Sequence, residues 1–133
     1  MKNIEINQTA SFSKTITEYD VLTFAGVTGD FNPVHIDKVA AEKSIFKERI
    51  AHGMLTASFI STVIGMYLPG KGSIYLEQNI KFLKPVKIGD TVTAWVKVIN
   101  FDSEKNIYTL STWVENEQSV KIIDGTARIL YIQ

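Results

Sequence analysis

The sequence predicts an α+β domain, one antiparallel sheet of about five strands curled round a single apolar helix. Three observations lead there. The run Gly53 to Leu68, GMLTASFISTVIGMYL, carries no charge and is apolar on almost every side, which predicts a helix buried on most faces. The segments after it alternate apolar and polar residues with the period of a half-buried strand. Short polar connections join these segments, which implies an antiparallel meander.

The elements follow in order. Residues 11–16 read as a first strand, with Phe12 and Ile16 as its apolar positions. Thr17 is an N-cap, with Glu18 and Asp20 acidic in the first turn of a helix that runs to about Val27 on Val21, Leu22, Phe24 and Ala25. Gly29 ends it. Lys38 to about Phe46 reads as a short helix, only partly periodic in Ala40, Ala41, Ile45 and Phe46. The apolar helix of residues 53–68 is closed by Pro69-Gly70, and Ser, Thr and Gly interrupt it too often for a membrane span.

Ser73 to Phe82 is a strand, stopped by Lys84-Pro85. Gly89-Asp90 turns into Thr91–Phe101, with Val92, Ala94, Val96 and Val98 on one face and Thr91, Thr93, Trp95 and Lys97 on the other. Asp102 to Asn106 connects to Ile107–Glu115, which puts Tyr108, Leu110, Thr112 and Val114 on one face. After the turn Asn116-Glu117-Gln118, the last strand spans Ser119 to Tyr131, with Asp124-Gly125 as a bulge. No repeat, low-complexity tract or linker divides the chain, so a single domain over residues 1–133 is expected.

Bulk composition narrows the function. Formal net charge is zero and the pI is about 6.7, which gives no electrostatic grip on nucleic acid or an anionic membrane. Near neutrality also permits self-association. With no cysteine there is no disulfide framework, thiol nucleophile or cysteine zinc site, and with two histidines a dedicated metal site is not expected. Met1 to Ala10 has no apolar signal core, and the expected location is cytoplasmic.

The chemistry concentrates in Gly29-Asp30-Phe31-Asn32-Pro33-Val34-His35. Asp30 and His35 are the residue types that move protons near neutral pH. Pro33 fixes its own φ and pushes Asn32 out of the helical region, so the segment is a kinked turn on which Asp30, Asn32 and His35 can converge. Asp-x-Asn-Pro is also good capped-turn chemistry, and taken alone such a pair is more often a capped loop than a site. A third element sits at Ala51-His52-Gly53-Met54. The first N–H groups of a helix lack internal partners and lie at the positive end of its dipole, so the Gly53 N–H is a candidate oxyanion donor. A plain helix start packed close to a strand fits that residue as well. His52 reads as a capping or packing residue, and Lys71, Lys81, Lys84 and Lys87 as ordinary exposed lysines.

Asp30-Phe31-Asn32-Pro33-Val34-His35 followed by Ala51-His52-Gly53-Met54-Leu55 resembles the signature of the MaoC-like, R-specific enoyl-CoA hydratases (hydratase 2). Leu68-Pro69-Gly70-Lys71-Gly72-Ser73-Ile74-Tyr75-Leu76 is similar to the short bacterial members that supply polyhydroxyalkanoate synthesis. The resemblance runs from about Ser11 to Ile129 and implies the hot-dog fold. It implies a homodimer that reversibly adds water to a trans-2-enoyl-CoA, giving an (R)-3-hydroxyacyl-CoA. It makes Asp30 and His35 the catalytic pair, has Asn32 hold the water and the dyad, and puts the thioester oxygen on the Gly53 N–H. Ser61 then lies near the acyl chain. Ala57, Ser61 and Ile64 follow Gly53 at helical spacing, which predicts one stripe along the acyl tail. No cofactor is implied beyond the coenzyme A of the substrate, and no metal.

Competing readings are a dehydratase acting on acyl-carrier protein, a thioesterase of the same fold, and a non-catalytic acyl-CoA binding module. A carrier-protein enzyme needs a basic docking patch, and the balanced charge offers none. Binding alone needs no acid–base pair, and fold alone does not decide.

Overall fold

Alternating small and β-branched residues in the second half of the chain build the sheet. The computed structural model describes residues 3–132. Its elements are β1 (Thr9–Thr15), α1 (Glu18–Thr28), α2 (Pro33–Ile36), α3 (Lys38–Glu42), α4 (Gly53–Met66), β2 (Ser73–Phe82), β3 (Thr91–Asp102), β4 (Ile107–Glu115) and β5 (Lys121–Tyr131). The five strands form one antiparallel sheet in the order β1-β3-β4-β5-β2, with α4 packed across it. This is the hot-dog arrangement.

The core lies between α4 and the concave face of the sheet. Leu55, Phe59, Ile60, Val63 and Ile64 of α4 meet Val92, Ala94, Val96 and Val98 of β3 and Leu110 and Val114 of β4. The alternation expected for β3 and β4 is seen residue by residue as buried positions every second residue. Each fully buried aliphatic side chain of this kind stabilises the fold by about 1.5–3 kcal/mol.

Four expectations are corrected. The strands are not a simple meander: β3, β4 and β5 are, but β2 pairs with β5 at the far edge. The segment after β2 does not turn back as a hairpin. Leu83 N–H still donates to Ile122 O (2.9 Å), and the chain then passes the start of α4, where Ala51 N–H donates to Val86 O (2.7 Å) and Ile50 bridges to Lys87. The bulge of β5 lies at Ile122, since Val114 pairs with Ile123 and Glu115 with Lys121, while Asp124 and Gly125 stay in register with Trp113 and Thr112. Two successive buried isoleucines require that extra residue, because an unbroken strand turns one of them outward. Gly125 instead admits the β2 backbone, for a Cβ there would run into the Asn79 carbonyl.

The other two concern helices. α3 stops at Glu42 rather than near Phe46. The Ser44 hydroxyl donates to Ala41 O (2.6 Å) and accepts from Phe46 N (3.2 Å), a side-chain competition that ends a helix. α4 is not buried on most faces: Met54, Ser58, Ser61, Gly65 and Met66 form an open side in the single chain. No helix is long and apolar enough to cross a membrane among the described residues.

Thr17 caps α1 as expected. Its hydroxyl accepts from Asp20 N (3.1 Å) and its own N–H donates to the Asp20 carboxylate (2.9 Å), a reciprocal capping box. Lys14 adds an ion pair to the same oxygen at 2.9 Å. Burial pulls the Asp20 pKa up, but Lys14 and the Thr17 donors together outweigh it and hold the carboxyl below its ordinary 3.8. A lowered carboxylate pKa stabilises the fold above the unfolded value and loses that contribution as pH falls through the folded one. Asp20→Asn should therefore cost about 0.3–1 kcal/mol at neutral pH. In urea unfolding curves the gap to wild type should narrow as pH drops below 3.8. A gap independent of pH would show that the charge contributes nothing.

Candidate active site

The site starts where α1 ends. Gly29 adopts a left-handed φ of 82°, a conformation glycine takes without penalty, and its N–H donates to Ala25 O (2.8 Å). The chain then crosses to α2 through Asp30-Phe31-Asn32. Asn32 sits at φ −53° and ψ 127°, the extended form forced on a residue before proline. Its side-chain oxygen caps α2 by accepting from Val34 N (3.2 Å), with Pro33 in the first turn. The Asp30 carboxylate accepts from Asn32 N (3.2 Å). The turn is thus held by its own side chains, with Asp30 exposed at its tip.

α2 places His35 inward, 8% exposed. Its Nδ1 lies 2.8 Å from Ile50 O. A carbonyl only accepts, so Nδ1 carries the hydrogen and Nε2 is the nitrogen left for chemistry. His52 is 2% exposed, and its Nε2 lies 2.9 Å from the main-chain oxygen of Asp30. By the same logic Nε2 carries its hydrogen, and the buried Nδ1 has no partner among the described residues. The two imidazoles stack at 3.9 Å and 26°, with Phe24 of α1 against His52 at 4.9 Å. Arg49 closes the arrangement from outside: its Nε donates to His35 O (2.7 Å) and its two terminal nitrogens grip the Glu18 carboxylate at 2.9 and 3.0 Å.

Ligand atoms of Asp30, His35 and His52 all lie within 4.8 Å of one another. These three side chains are the ones that could hold a metal ion. The two histidine rings themselves lie face to face. What the cluster offers directly is a carboxylate beside an imidazole nitrogen, a general acid–base couple.

Gly53 opens α4 directly after His52. His52 makes no side-chain cap, and the Gly53 N–H has no acceptor among the described residues. The Phe82 ring covers the Gly53 Cα so closely that an added Cβ would come within 2.8 Å of it. Gly53 also lines a cavity of about 290 Å³ whose walls are mainly apolar, among them Phe46, Ile50, Phe82, Leu83 and Ile123, with Thr56 as a polar member.

The structure gathers Asp30 and His35 with His52, with Asn32 between the first two in the chain and Gly53 directly after His52. Gly53 alone of the predicted site residues lines that cavity: Asp30, Asn32 and His35 do not, and neither do Ala57, Ser61 and Ile64. Their row runs along the border of the buried face of α4. Ala57 is half-buried and Ser61 exposed, whereas Ile64 falls on the core side at 1% exposure. Sequence reasoning treated His52 as a cap or packing residue and passed over Arg49. The available signals were a histidine placed directly before the candidate donor and an arginine in a chain that otherwise uses lysine almost throughout.

The model of the MaoC-like domain family matches residues 2–121. The chain is 46% identical over 129 residues to an (R)-specific enoyl-CoA hydratase of Rhodospirillum rubrum, covering 97% of this chain and 89% of that protein. It is 41% identical over 126 residues to the (R)-specific enoyl-CoA hydratase of Aeromonas caviae, covering 95% of this chain and 94% of the relative. The solved structure of an A. caviae (R)-hydratase involved in PHA biosynthesis superposes with a TM-score of 0.95 at 39% identity, over 99% of this chain and 100% of that one. With the signature residues gathered at the start of α4 and the family model spanning nearly the whole chain, the protein belongs to the MaoC-like domain family.

Proposed function

We propose that the protein is an (R)-specific enoyl-CoA hydratase, adding water reversibly across the double bond of a trans-2-enoyl-CoA. The observation that carries this is the Asp30–His35 pair against His52, which leads directly into a Gly53 N–H that has no acceptor among the described residues. Relatives at 46% and 41% identity bear the same activity in their names.

The chemistry needs a base for water, an acid for C2 and a donor for the thioester oxygen. Asp30 is the base: its carboxylate takes a proton as the water oxygen bonds C3. The C=C electrons move toward the thioester, whose oxygen gains charge and is held by the Gly53 N–H. His35 in its protonated form gives a proton to C2 from Nε2, since Nδ1 is committed to Ile50 O. The proton on Asp30 returns to His35 across the short separation of the pair, which resets both groups for the next turnover. Asn32 serves by capping α2 and fixing the turn. Coenzyme A enters as part of the substrate, and the scheme uses no other cofactor.

The proposal includes a homodimer. β2 is an edge strand with most of its residues exposed, and the open side of α4 is uncharged. Pairing an edge with its twin removes unsatisfied backbone groups from solvent. Light scattering at assay concentrations should give twice the mass of the 14.9 kDa chain. A fully active monomer would defeat this part.

The activity is tested by following crotonyl-CoA hydration spectrophotometrically, with chiral analysis of the product and the carrier-protein thioester in parallel. The expected product is the (R)-3-hydroxyacyl-CoA. A predominantly (S) product, or turnover of the carrier-protein substrate alone, would redirect the assignment. Asp30→Asn and His35→Ala should each lower kcat by about 10²–10⁴-fold with the fold retained. Wild-type turnover in either would remove that residue from the mechanism.

Gly53 allows the oxyanion role to be isolated. His52 already has the φ −58°, ψ 133° that a following proline demands, and the first helical position tolerates proline. Gly53→Pro deletes the N–H, while Gly53→Ala keeps it and adds a similar Cβ against the exposed Phe82 ring. Losing one such donor costs roughly 2.7–4 kcal/mol of transition-state stabilisation, so Pro should fall about 10²–10³-fold in kcat. Ala should stay within about tenfold of wild type, because the donor remains. Equal rates in the two variants would show that the N–H takes no part.

A further inference from the structure

We infer that His52 is a positioning residue that holds the acid, the base and the oxyanion donor in mutual register. The inference rests on the hydratase reading and adds a residue to it. His52 does not cap the helix it precedes. Its ring makes one hydrogen bond, and that bond goes to the main chain of Asp30, 22 residues earlier. One face of the ring lies against His35 at 3.9 Å, and Phe24 packs on it at 4.9 Å. The next residue is Gly53. A single rigid side chain therefore touches the loop of Asp30, the ring of His35 and the backbone that presents the Gly53 N–H.

A structural role alone does not account for the choice of residue. The buried Nδ1 has no partner among the described residues, which weighs against the fold. Phenylalanine would fill the same space between Phe24 and His35 without an orphaned nitrogen. What only the imidazole adds is the Nε2 donor to Asp30 O. Asp30 sits on an exposed turn and no other side chain ties its carbonyl down among the described residues. Without that bond the turn keeps its local hydrogen bonds, Asn32 N to Asp30 and Val34 N to Asn32, but loses its tie to α4.

Two variants separate the donor from the packing. His52→Phe keeps an aromatic ring and loses the donor. His52→Gln loses the ring but keeps an N–H near the position of Nε2. Both are assayed for crotonyl-CoA hydration, thermal unfolding and amide hydrogen exchange of Phe31 to His35. Misplacement of a reacting group by about 1 Å costs on the order of 10²-fold, so His52→Phe should lose about 10–100-fold in kcat. Its KM should change little and its Tm should be no lower than wild type, while the turn exchanges faster. His52→Gln should recover most of kcat and the wild-type exchange. Wild-type kcat and exchange in His52→Phe, or equal losses in the two variants, would overturn the inference. A wild-type protein with no hydration activity would instead refute the hydratase reading, and the exchange comparison would still decide whether His52 anchors the turn.

Discussion

The site depends on Ile50 and Ala51, the two residues before His52, being held against the crossover that follows β2. Ala51 N–H donates to Val86 O at 2.7 Å, and Ile50 bridges to Lys87. That tether fixes where Ile50 O points, and Ile50 O selects the tautomer of His35. It also sets where His52 stacks and where α4 begins, hence the direction of the Gly53 N–H. Ile50 and Ala51 are both buried. Their burial is the source of the rigidity, because moving either one exposes apolar surface and breaks a backbone bond at once.

Polar groups that weigh against folding gather here. His52 Nδ1 and Thr56 Oγ1 are buried without partners among the described residues, one turn apart at the start of α4. An unsatisfied buried polar atom costs about 1–3 kcal/mol, a sizeable part of the 5–15 kcal/mol that usually separates folded from unfolded. The core between α4 and β3–β4 is large enough to carry that cost. The Arg49–Glu18 pair contributes less than its bidentate geometry suggests, since Glu18 is half exposed and exposed pairs are worth about 0–1 kcal/mol. Its more consequential contact is with the carbonyl of His35, where the guanidinium ties the end of α2 to α1.

Much of this was legible in the sequence, and the failures share a cause. Strand alternation identified the buried faces of β3 and β4 because side-chain period is local information. It could not name a strand's neighbour, so β2 was placed in a meander, whereas the pairing of residues 50–51 with 86–87 pulls the chain to the other side of the sheet. The Asp30–His35 turn was legible because proline, asparagine and glycine each restrict the backbone in a known way. The stripe Ala57–Ser61–Ile64 was read from helical spacing alone. Spacing does not say where the boundary of the core falls, and here it passes between Ser61 and Ile64. His52 was undervalued because its partners, Asp30, His35 and Phe24, lie 17 to 28 residues away in sequence.

α4 carries no charged residue on any face. Its lack of charge led to the expectation of burial on most faces, yet in the single chain Met54 is 58% and Met66 70% exposed. A helix that served only as the core of one chain would need an apolar stripe and a charged outer face. α4 instead presents Ser, Thr, Gly and Met outward, residues that suit close approach and adaptable packing more than hydration. The edge of β2 carries the same signal through Ile74, Tyr75, Leu76 and Phe82. A sequence pattern records burial in the state that functions. Where the pattern and the isolated chain disagree, the surface left open is the one on which the proposed homodimer rests.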